Sequence, residues 1–124
     1  MIIILGLLLV GILLFGCFQE TVETHKLRDI ISNPSLYNGK TVIIEGKFGG
    51  WGGNFTCNNE AVLYTKSDSI IYDDTGCLYM TRGVEVLHIE KEFYAMDPNN
   101  VGGNITIKSI VSLIDGKPIL GSIN

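Results

Sequence analysis

Few side chains in this sequence have the types and spacing to do chemistry. Cysteines stand at positions 17, 57 and 77, and a thiol can hold a metal, close a disulfide or carry a lipid. Cys57 and Cys77 are 20 residues apart, with no C-x-x-C spacing and no histidine pair nearby, which fits a metal site poorly. His88, Glu90 and Glu92 alternate along the chain. On a strand they would put an imidazole and two carboxylates on one face, a set suited to a divalent cation. On a helix His88 and Glu92 would share a face instead, and a solvated charged surface explains all three without a metal. Asp73 and Asp74 are adjacent carboxylates, but Asp-Asp-Thr-Gly is turn chemistry and accounts for both. There is no Gly-x-Ser-x-Gly, no phosphate-cradling loop and no Cys-His dyad. These residues point away from an enzyme and call for no cofactor and no metal.

Two further groups could take a ligand or a modification. Phe48, Trp51 and Phe55 cluster in "FGGWGGNFTCNNE", where four glycines surround the only tryptophan. Such aromatics can stack on a base or a sugar ring; the indole could equally fold back and close the core. Asn54-Phe-Thr56 and Asn104-Ile-Thr106 are glycosylation acceptors, relevant only outside the cytoplasm.

The elements that must position these groups read mostly as β. "THKLRDIISNP" places Leu27, Ile30 and Ile31 on one helical face, with Thr24 as N-cap and Pro34 ending the helix near Ser32. "TVIIEGKF", Thr41 to Phe48, is a β-branched strand with Gly46 as a bend. Ser69 to Thr81 is a hairpin turning on Asp-Asp-Thr-Gly, and the chain closes with a second hairpin around Asp115-Gly116. Between them Val86, Ile89, Phe93 and Met96 are spaced as a helical stripe, although Val84, Val86 and His88 also alternate. "NPSLYNGK" and "DPNNVGGN" share a Pro-to-Gly spacing ahead of a β run, but this is too short to be a repeat.

Residues 1–16 are uncharged and apolar, the length of a signal-peptide core and short of the roughly 20 residues that span a bilayer. "LFGC", Leu14 to Cys17, resembles the lipobox of prokaryotic lipoproteins, with an aliphatic residue at −3 and a small residue before the cysteine. The resemblance implies cleavage after Gly16 and lipid on Cys17. A plain uncleaved anchor and a buried helix are the alternatives. Assigning Cys17 to lipid leaves Cys57 and Cys77 as an even pair. Bridged, they would close a loop of about 20 residues worth on the order of 3 kcal/mol in the chain-entropy model; otherwise they are two unrelated thiols.

The element order, three strands, a helix and two strands after an initial helix, is that of the five-stranded Greek-key barrel called the OB-fold. "DDTGCLYMT" resembles the hairpin between the second and third strands of many OB domains, and "NPSLYNGKTVIIEGKF" resembles the approach to the first strand in small exported OB-like domains of prokaryotes. Expected, then, are a signal peptide or anchor over 1–16, a tether over 17–25 and an OB-like barrel over 26–124. The barrel would have a short N-terminal helix and a helix between its third and fourth strands. A net charge of −4, with nine Lys and Arg spread thinly, argues against nucleic acid, which asks for a basic stripe. The expected protein is a lipoprotein on the outer face of the cell membrane. It would bind a small ligand, a glycan or a protein through Phe48, Trp51 and Phe55, or serve as an accessory subunit of a membrane complex.

Overall fold

The computed structural model describes residues 22–51, 57, 61–90 and 101–123. Residues 1–16, Cys17, Asn54, Phe55, Glu92, Phe93 and Met96 lie outside the described residues. The elements are β1 (Thr24–His25), α1 (Leu27–Ser32), α2 (Pro34–Tyr37), β2 (Thr41–Trp51), β3 (Ser69–Asp73), β4 (Gly76–Met80), β5 (Glu85–Ile89), β6 (Asn104–Ile114) and β7 (Lys117–Leu120).

Five of the strands close on themselves in the order β2-β3-β4-β7-β6, with β2 pairing back to β6. This is a mostly β, OB-like barrel. All its pairings are antiparallel except β4 with β7, where Met80 faces Leu120. Closure depends on β2, which pairs with β6 through Thr41 to Lys47 and with β3 through Lys47 to Trp51. One strand can serve two partners only if it bends, and the bend falls where the sequence has glycine. A Cβ on Gly46 would lie 2.9 Å from the carbonyl oxygen of Tyr72, so the two backbones touch there. The register slips between Phe48 and Gly50, where Gly50 has φ 86°, as in a glycine bulge.

Both hairpins turn by local chemistry. Asp73 Oδ1 accepts from the N–H of Thr75 (2.7 Å), the hydroxyl of Thr75 (2.5 Å) and the N–H of Gly76 (3.0 Å). Asp115 and Gly116 have φ 52° and 77°, the left-handed pair that matches the twist of a two-residue hairpin. Inside the barrel, Ile44, Phe48, Ile71, Leu78, Ile107 and Val111 are almost fully buried, and Leu27 and Ile30 of α1 complete the same core. The helix is fixed to the first hairpin: the N–H of Arg28 donates to Thr75 Oγ1 at 3.2 Å.

Two expectations are corrected, and one, the stop at Pro34, is extended. Thr24 is not the N-cap of α1; it pairs with Ile43 in β1, parallel to β2, so the last two residues of the expected tether belong to the sheet. Lys26 is the capping residue, and its N–H donates to Asp29 Oδ2. Pro34 ends α1 but also opens α2, where its missing N–H costs nothing. Val86 and Ile89 lie on a strand, β5, because pairing with Ile107 and Ile105 of β6 satisfies their backbone. A 3-residue apolar spacing alone does not separate the two conformations.

Candidate functional site

Phe48 and Trp51 do not form one exposed aromatic patch. "FGGW" continues β2 rather than opening a loop, and Trp51 is its last residue, opposite Ser69. Alternation along the strand sends Phe48 inward, where it is 1% exposed. It therefore cannot stack on a ligand. Trp51 is half-buried and its Nε1–H donates to the carbonyl of Lys66, which commits the polar edge of the indole. Phe55 lies outside the described residues.

The outer face of β3, β4 and β7 has an unexpected cover. Ile70, Tyr79 and Ile119 point away from the barrel interior, yet are 4%, 5% and 0% exposed, because Cys57, Ala61 and Val62 of the preceding segment lie over them as a second apolar cluster. Cys57 is joined to Cys77 of β4 in a disulfide, Cα to Cα 5.9 Å. The N–H of Cys57 donates to the Tyr79 hydroxyl at 3.0 Å. Further along, the Tyr64 hydroxyl donates to the carbonyl of Ile123 at 2.8 Å. Asp68, 2% exposed, accepts from the N–H groups of Tyr64 and Thr65 and from the Thr65 hydroxyl at 2.6 to 2.8 Å. A buried carboxylate with three donors is well satisfied, and it shapes the return of the segment into β3. Part of the face on which OB barrels commonly take ligands, that of the second and third barrel strands, is thus covered by the protein's own chain. The signal was present in the sequence: "SIIY" and "CLYM" are apolar at successive positions, as in strands buried on both faces.

An open recess remains where β2 changes partner. A cleft of about 590 Å³ is lined by Glu45, Lys47, Tyr72, Asp74, Asn104 and Thr106, with Gly46 at its base. The Tyr72 ring lies along Gly49, where a Cβ would stand 3.2 Å from its Cδ1. Asn104, the first residue of β6, is exposed in this cleft, and its N–H donates to Glu90 Oε2 at 2.9 Å. An aromatic ring beside an amide, an ammonium and carboxylates offers stacking and paired hydrogen bonds to a hydroxyl-rich ligand. A second recess, about 280 Å³, has Met80, Val84, Val86 and Ile105 in its walls. A third is lined by Val22, Glu23, His25, Leu36, Tyr37 and Lys40.

Asp73 is held by its turn, and Asp74 is exposed beside it. His88 is exposed on β5, Glu90 is engaged by Asn104, and Glu92 lies outside the described residues. Among the described residues no three His, Cys, Asp or Glu side chains are grouped to hold a metal. Compared with protein-family models, curated proteins and solved structures, the chain matches none.

Proposed function

We propose that this chain is a membrane-tethered extracytoplasmic lipoprotein whose barrel is a non-catalytic binding module. The observation that carries the proposal is the Cys57–Cys77 bridge, which ties the covering segment to β4; such bonds persist in oxidising compartments. The lipobox-like "LFGC" supplies the tether at Cys17. The ligand site is the cleft beside Tyr72 rather than the Trp51 end of β2, and its mixture of ring and polar groups suits a glycan or a small hydroxylated molecule. Intact mass of membrane-extracted protein tests the tether: loss of residues 1–16 with added acyl or ether-lipid mass is expected, and a retained Met1 would leave a simple anchor. Titration with an oligosaccharide panel, with Tyr72→Ala as the comparison, tests the cleft.

A second reading, an accessory subunit of a membrane complex, is favoured by the covered outer face. A barrel that has filled much of its usual ligand face with its own chain keeps fewer surfaces for small ligands. Crosslinking in intact membranes distinguishes the two, since a subunit gives one stoichiometric protein partner.

A further inference from the structure

We infer that the surface around α2 rests on the lipid headgroups, with Leu36 and Lys40 as its contacts. The inference depends on the tether at Cys17 proposed above. Val22, the first described residue, follows Cys17 by five residues, a stretch that spans at most about 18 Å when fully extended. A domain of this size is roughly 30 Å across. The tether is therefore shorter than the body it holds. Lipid on Cys17 keeps the side from which Val22 emerges near the bilayer and the opposite side away from it.

That side has the right surface. Val22, Glu23, Leu36, Tyr37 and Lys40 line one recess, and Leu36, at 59%, is the most exposed large apolar side chain among the described residues. Ile110, 39% exposed, pairs in register with Thr41, which lines the same recess. The patch is rigidly mounted. Gly39 N–H donates to the carbonyl of Val111 at 2.8 Å and Val111 N–H to that of Lys40 at 2.9 Å. The Tyr37 hydroxyl and His25 Nδ1 are 3.3 Å apart, with the rings edge to face at 5.0 Å, so α2 is fastened to β1, the strand that continues from the tether. An aliphatic side chain beside an ammonium group suits the boundary between acyl chains and phosphates. Alone, one leucine and one lysine bind weakly; held there by a lipid, they act at high effective concentration. The tether length specifies the bilayer as occupant, whereas no feature of this surface specifies a protein.

The test uses the full lipidated chain in phosphatidylcholine–phosphatidylglycerol vesicles containing brominated lipid. A bimane label goes on Leu36→Cys, on Asn38→Cys and, as reference, on Lys66→Cys, in the turn whose carbonyl meets Trp51 at the far end of β2; the native thiols are spent on lipid and disulfide. Flotation is measured first. Expected is co-flotation, with labels at 36 and 38 quenched several-fold more than at 66. Adding Leu36→Asp to the Asn38→Cys chain should remove most of that difference. Failure to float overturns both the tether and this contact. Flotation with equal quenching at all three sites overturns the contact alone.

Discussion

The backbone N–H of Cys57 donates to the hydroxyl of Tyr79 at 3.0 Å, in an environment where Cys57 is 6% and Tyr79 5% exposed. The same cysteine is bonded to Cys77, two residues before Tyr79 on β4. A segment outside the barrel is thus fixed to one strand by a covalent bond and a buried hydrogen bond side by side. Between them they bury an outer sheet face that would otherwise expose Ile70, Tyr79 and Ile119. The barrel has two cores, one inside and one under this cover.

The bridge should account for a large share of stability. Closing about 20 residues contributes on the order of 3 kcal/mol in the chain-entropy model. Cys57→Ser with Cys77→Ser should lower the denaturation midpoint accordingly and raise binding of an apolar dye. Non-reducing peptide mapping of the native chain should recover both cysteines in one cross-linked peptide; free thiols in an unreduced sample would count against the bridge.

Tyr79→Phe keeps the ring and removes only the acceptor of Cys57. It leaves a buried N–H unpaired, which costs about 1 to 3 kcal/mol. Amide exchange at Cys57 should accelerate in the same variant. An unchanged melting curve with unchanged exchange would show that this hydrogen bond does not hold the cover.

Two glycines should differ sharply when changed to alanine. At Gly76 a Cβ would stand 2.6 Å from the Cδ1 of Ile31, the free end of a side chain on α1. The cost should be about 1 kcal/mol, and Ile31→Val, which deletes that methyl, should recover most of it in a double-mutant cycle. At Gly46 the Cβ would meet the backbone oxygen of Tyr72 at 2.9 Å, which cannot swing aside. Gly46→Ala should therefore cost above about 2 kcal/mol, with no single-residue rescue.

Local chemistry explains which elements were legible. The turns at Asp73 to Gly76 and at Asp115-Gly116 are specified by a carboxylate acceptor and by positive φ, both of which the sequence displays directly. With both hairpins placed, the strand order of the barrel followed. The continuation of β2 past Phe48 is hard to read because Gly49 and Gly50 look like a loop, whereas in a bent strand glycine marks close backbone approach and a bulge. The strand at Val86 and Ile89 is not legible locally, because its conformation is decided by β6, distant in sequence. Cysteine parity points to the Cys57–Cys77 pair but not to the face it covers. Which side of β4 carries Cys77 depends on register, and register depends on the closed barrel.

Trp51 offers the last prediction. It ends β2 half-buried, and its indole N–H is bonded to the carbonyl of Lys66, a bond at the surface. Water can replace that partner, so Trp51→Phe should cost no more than about 1 kcal/mol. Trp51→Ala also removes the ring from the turn that leads into Asp68 and β3, and should cost about 2 kcal/mol. As the only tryptophan, its emission reports on this end of the barrel alone. Oligosaccharide bound in the cleft beside Tyr72 should leave that emission nearly unchanged, while unfolding should shift it to the red. A strong emission change on ligand addition, with Trp51→Ala abolishing binding at full stability, would return the site to the Trp51 end.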